Sequence, residues 1–149
     1  MRYLEDFVVG EILRTPSAAM PEEETLAFAA KYDPQAMHLD HEAALEGPLG
    51  GISASGWHTA AVVMRLIVEA DVLLGGPILG LGVEELNWPA PTRPGDVISA
   101  DLETVSITPS RSRPTHGVVR IRVTARNQDG ATVLTMTPKL WVARRPEQS

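Results

Sequence analysis

The clearest alternation of apolar and polar positions runs from Val118 to Asn127. Val119, Ile121, Val123 and Ala125 fall on one face and Arg120, Arg122, Thr124 and Arg126 on the other, which predicts a half-buried β-strand. Asp129-Gly130 supplies hairpin-turn chemistry into a further strand, Thr132 to Val142. Upstream, Ile78 to Trp88 and Val97 to Ile107 read as strands. Gly80 and Gly82 weaken the first, and the alternation of the second slips after Glu103, predicting a bulge. Asp101 and Glu103 are expected opposite Arg120 and Arg122 across the ladder.

The first half has a helical period. Pro21 followed by Glu22, Glu23 and Glu24 starts a helix that ends near Asp33-Pro34, with Leu26, Ala29 and Ala30 inward. Asp40 caps a short helix to Leu45, with Ala43 and Ala44 inward, and Gly47 to Gly51 is a loop. From Ser55 the longest helix is expected to reach Gly75-Gly76-Pro77. Ala60 to Val68 are apolar almost all round, so this helix must be enclosed, with His58, Arg65 and Glu69 as its one polar stripe. A short strand, Ile12 to Ala19, is interrupted at Pro16, and residues from Arg144 onward should fray. A buried helix followed by an antiparallel meander predicts an α+β architecture in which a curved sheet wraps the helix, the hot-dog fold.

Composition narrows the class of partner. The 149 residues suit one domain, and 44% hydrophobic with 21% charged residues is globular. A formal charge of -6 argues against nucleic acid. The absence of cysteine excludes disulfides and thiolate chemistry. The N-terminus lacks a signal-peptide core, and the run Ala60 to Leu74, broken by Arg65, Glu69 and Asp71, does not reach across a bilayer. The expectation is a cytoplasmic protein that does not engage a membrane.

Candidate chemistry gathers between Asp33 and Gly56. Asp33 and His38 lie five apart across a Pro-containing segment, which lets a loop aim both at one water, and Gly56 offers a backbone N–H at a helix start. A carboxylate, an imidazole and an oxyanion donor suffice to add water to, or remove it from, a carbonyl-activated carbon. Each has a plainer reading too: Asp33 before Pro34 is ordinary turn chemistry, and His38 fits a satisfied, partly buried histidine. His38, Asp40 and His41 match no strong metal-ligand spacing. Ser53 and Ser55 complete no nucleophile elbow, and Gly80-Leu81-Gly82 lacks the third glycine of a dinucleotide fingerprint.

Asp33-Pro34-Gln35-Ala36-Met37-His38-Leu39-Asp40, with Ser55-Gly56 opening the buried helix, resembles the MaoC-like dehydratases and (R)-specific enoyl-CoA hydratases. Their pattern is Asp-x-Asn-Pro-x-His-x-Asp followed by His-Gly. Asp33 and His38 match the family's catalytic pair, and Gly56 matches the glycine whose amide polarises the thioester carbonyl. Gln35 and Ala36 depart from Asn-Pro, and Ser55 stands where many members have histidine. The resemblance implies hydration of 2-enoyl thioesters, or dehydration of 3-hydroxyacyl thioesters, with Gln35, Ser55 and Trp57 near the substrate.

No redox cofactor or metal is implied, and coenzyme A enters as part of the substrate. Lys31, Arg65, Arg93, Arg111 and Arg113 are candidates for its phosphates, the last two the most available. An exposed sheet edge predicts a homodimer. The rival readings are a hot-dog acyl thioesterase and a non-catalytic acyl-thioester binding module.

Overall fold

Strict alternation along the second half of the chain builds a curved antiparallel sheet. The computed structural model describes residues 1–71 and 78–148. Six strands, β1 (Ile12–Arg14), β2 (Ala18–Ala19), β3 (Leu79–Asn87), β4 (Val97–Pro109), β5 (His116–Arg126) and β6 (Thr132–Ala143), pair antiparallel in the order β1-β4-β5-β6-β3, with β2 also on β4. The expected first strand is thus two pieces parted at Pro16, which has no N–H for a ladder.

Four helices precede or cross the sheet: α1 (Glu22–Tyr32), α2 (Ala36–Leu39), α3 (His41–Glu46) and α4 (Gly56–Glu69). Glu22, Glu23 and Glu24 sit in the first turn of α1 and Lys31 in its last, each complementing the helix dipole. Ala29 is buried there, but the expected Ala30 is exposed, as is Ala43 of α3. Helix α2 falls where sequence predicted only loop. Helix α4 ends at Glu69, short of the expected Gly75-Gly76-Pro77 stop, which lies outside the described residues.

The core fills the space between α4 and the sheet. Val63 and Leu66 of α4 meet Ile98, Ala100 and Leu102 of β4, Val119, Ile121, Val123 and Ala125 of β5, and Leu134 of β6 in one buried cluster. Complete burial of one such aliphatic side chain contributes about 1.5–3 kcal/mol. This arrangement is the hot-dog fold. The β4–β5 register shifts between Thr104 and Ser106, the bulge expected after Glu103.

In this register Glu103 lies opposite Arg122 but Asp101 lies opposite Thr124, so only half of the expected charge ladder forms. Arg122 pairs with Glu103 at 3.2 Å, whereas Arg120 reaches Glu84 on β3 and Asp101 is held by Arg126 at 2.8 Å. The segment from Arg144, expected to fray, is tied back: Arg144 Nε lies 3.0 Å from Glu5 Oε1, and the Arg145 amide donates to Glu5 Oε2 at 2.9 Å.

Helix α4 is enclosed on one side only. Trp57, Met64 and Val68 are 50–61% exposed and, with Ala61, form a stripe at i, i+4, i+7 and i+11. His58, expected on the polar stripe, is instead buried and stacked on Phe28 with ring centroids 4.8 Å apart. Arg65 and Glu69 do reach solvent, as an i,i+4 ion pair. Among the described residues no helix is long and apolar enough to cross a membrane.

Candidate active site

Asp33 leaves α1 with non-helical backbone angles (φ -149°, ψ 67°), because the following proline disfavours helix at that position. The chain then turns into α2, whose last turn carries His38 back over Asp33. His38 is 5% exposed, and its Nε2 lies 3.3 Å from Asp33 Oδ2. On its other side the ring Nδ1 donates to the Ser53 carbonyl at 2.7 Å. That bond makes Nδ1 the donor on this side and turns Nε2 toward the Asp33 carboxylate.

Gln35 Nε2 donates to Asp33 Oδ1 at 2.7 Å. This amide above all holds the Asp33 carboxyl below the usual carboxylate range; burial opposes it, and the Ser55 hydroxyl and the adjacent His38 add smaller lowering effects. Asp33 is therefore an ionised acceptor at neutral pH. Ser55 has a second task, since its Oγ accepts the Trp57 amide at 3.3 Å and so caps α4. One buried hydroxyl thus ties the helix start to the carboxylate.

Gly56 is the first residue of α4, and its N–H has no acceptor among the described residues. Asp33, His38, Gly56 and Trp57 line one cleft of about 330 Å³, closed by Thr59, Trp88, Pro89, Pro91 and Thr92. Thr59 Oγ1 donates to Thr92 Oγ1 at 3.1 Å on its wall. Of the predicted site residues, Asp33, His38, Gly56 and Trp57 thus share the cleft, while Gln35 and Ser55 act through Asp33. Asp40 is the cap expected of it, accepting the Glu42 and Ala43 amides at 2.9 and 3.0 Å.

Trp57 also forms part of a second, apolar cleft of about 500 Å³ between α4 and the sheet, lined among others by Met64, Val83, Leu102, Ile121 and Met136. Three contributions were not legible from sequence: the Ser53 carbonyl, the Thr59–Thr92 pair and Trp88. Each comes to the site from a residue 15 to 33 positions from its partner, and no local pattern marks it.

The expected cations distribute differently. Arg93 is engaged within the fold, donating to the carbonyls of Leu49, Gly51 and Ile52. Arg65 is paired with Glu69. Arg111 and Arg113 follow the far end of β4, whose 13 residues span on the order of 40 Å, while the cleft lies beside its beginning. Lys31, two residues before Asp33 and 5.2 Å from the Tyr32 ring centroid, is the expected cation nearest in sequence to the pair of Asp33 and His38.

The hot-dog sheet thus carries an acid, an imidazole and a helix-terminal amide in one cleft. Residues 6–127 match the MaoC like domain, and the chain belongs to the MaoC-like dehydratase family. The crystal structure of the MaoC-like dehydratase from Rhodospirillum rubrum superposes with a TM-score of 0.93 at 43% identity, covering 99% of this chain and 100% of that one. The uncharacterized protein YdeM of Bacillus subtilis (strain 168) is 29% identical over 84% of this chain and 87% of its own. The 3-hydroxybutyryl-CoA dehydratase of Methylorubrum extorquens is 30% identical over 74% of this chain and 69% of its own.

Proposed function

We propose that the protein adds water to 2-enoyl thioesters, or removes it from 3-hydroxyacyl thioesters, carried on coenzyme A or a carrier protein. The observation that carries this reading is one cleft in which the Asp33 carboxylate and the His38 imidazole face each other at 3.3 Å beside the free amide of Gly56. A carboxylate and an imidazole so placed can share one water and its proton. The family and the dehydratase from Methylorubrum extorquens support the same chemistry.

In the hydration direction the Gly56 N–H, at the positive end of α4, donates to the thioester oxygen and stabilises the enolate that forms there. Water held by Asp33 and His38 adds its oxygen to C3. The proton it gives up passes to one of the pair and is returned to C2, so a hydroxyl and a hydrogen are gained and nothing is oxidised. General acid–base help of this kind is typically worth about 10²–10⁴ in rate. Coenzyme A is substrate here and no cofactor takes part.

The exposed α4 stripe supports a homodimer. Trp57, Ala61 and Met64 share a cleft with β3, an edge strand whose Leu79, Leu81 and Val83 are also 49–61% exposed. A second copy applied about a two-fold axis covers this surface and pairs the open edge.

Crotonyl-CoA separates the readings. Loss of enoyl absorbance without free thiol supports the hydratase. Thiol release would support a thioesterase, and binding with neither would support a silent acyl-thioester module.

A further inference from the structure

Trp88 lies in the loop after β3, 32 residues from Gly56, yet touches it in two ways. Its indole Nε1 donates to the Gly56 carbonyl at 2.9 Å. Its ring also covers the Gly56 Cα so closely that a Cβ there would fall 2.5 Å from Trp88 Cε2 and 2.7 Å from Cδ2. Trp57 packs edge-on against the same indole, with ring centroids 5.3 Å apart and an interplanar angle of 77°, and both tryptophans line the cleft with Asp33 and His38.

Gly56 needs such a restraint. A first-turn N–H is not tied into the helix ladder, and glycine has the widest backbone freedom of any residue. The Ser55 cap holds the Trp57 amide, one residue further on. The Gly56 N–H itself lies in the Ser55–Gly56 peptide, whose carbonyl accepts the His58 and Thr59 amides at 3.0 and 3.1 Å; the indole adds the restraint on the other side of that N–H, at the Gly56 Cα and carbonyl.

We infer that Trp88 is a positioning residue that aims the Gly56 amide at the thioester oxygen and makes glycine obligatory at that place. The inference rests on the hydratase reading for its catalytic consequence. An aimed oxyanion donor matters more in the transition state than in the bound substrate, so its misplacement lowers kcat more than it raises KM. An indole does not titrate near neutrality, so the pH profile stays in place.

The test compares the wild-type protein, Trp88→Phe and Asp33→Asn on crotonyl-CoA, and follows the Gly56 amide resonance in the ligand-free protein by ¹⁵N–¹H NMR. Trp88→Phe keeps a ring and removes the donor. The expected result is a roughly tenfold lower kcat with KM within about twofold, an unmoved pH profile, and a shifted or broadened Gly56 resonance. A Gly56 resonance unchanged in position and width overturns the inference whatever the activity. So does a wild-type kcat in Trp88→Phe when the wild-type enzyme is active and Asp33→Asn is not. If the wild-type protein hydrates no enoyl thioester, the functional reading fails, and the resonance still decides whether Trp88 positions the amide.

Discussion

Substituting Gly56 by alanine adds one methyl group where there is no room for it. The new Cβ would sit 2.5 Å from Trp88 Cε2, against an ordinary carbon contact of roughly 3.5–4.0 Å. The indole must retreat by about 1 Å, which takes its Nε1 out of hydrogen-bonding reach of the Gly56 carbonyl, now 2.9 Å away. The lost hydrogen bond costs about 1 kcal/mol, and the weakened Trp57–Trp88 contact about 0.5–1.5 kcal/mol.

Alanine offsets this with up to about 1 kcal/mol of helix propensity. The net destabilisation is therefore near 1 kcal/mol, a fall in melting temperature of about 2–4 °C for a chain of this size. The amide, by contrast, loses its aim, and removal of a single oxyanion donor elsewhere costs about 10²–10³ in kcat. A partial misplacement should cost ten- to a hundredfold. Calorimetry together with steady-state hydration of crotonyl-CoA checks the split. A Gly56→Ala protein with kcat within twofold of wild type would refute the packing argument, and one that fails to fold would show that the contact is structural first.

Ser55→Ala should lose about 1 kcal/mol of stability with its cap. It also withdraws a donor from Asp33, so the carboxyl rises from its lowered value and the acidic limb of the kcat/KM profile moves to higher pH; an unmoved limb would remove Ser55 from the site. His58 is buried with Nδ1 unpartnered among the described residues, and burial holds its pKa below the ordinary histidine value, opposed in part by Glu24. Its folded form therefore resists protonation. The contribution is intact above the unfolded value of about 6.5 and is lost as pH falls below it, so melting temperatures of wild type should drop between pH 7 and 5 more steeply than those of His58→Phe. Met64→Glu, on the exposed stripe of α4, should convert a dimer to monomers in sedimentation velocity with the far-ultraviolet spectrum unchanged; a monomeric wild type would contradict the proposed assembly.

Long periodic elements were legible because their periodicity is the burial pattern itself. Val119 to Ala125 alternate in sequence and are buried in the core, and the slip after Glu103 is the observed bulge. Asp33 and His38 were legible as a pair because their spacing is local, and Gly56 because it opens the long helix. Helix α2 was not, since a single turn with one buried residue, His38, has no periodicity to read. His58 was misplaced because a polar residue on an apolar helix suggests solvent, whereas stacking on Phe28 buries it. The enclosure of α4 was read from composition, which does not distinguish cover by the same chain from cover by a partner. Trp88 was invisible because its partner lies across the fold, and Arg93 passed for a free cation until its three carbonyl acceptors appeared.

The central claim is that Asp33 and His38 act together on one water beside the Gly56 amide. Steady-state hydration of crotonyl-CoA by Asp33→Asn, His38→Ala and the double variant tests it most directly. Each single variant should lower kcat by at least about a hundredfold. Residues that act as a unit are not additive, so the double variant should be little worse than the poorer single one. Hydration that survives both substitutions at the wild-type rate, or losses that simply multiply in the double variant, would contradict the account.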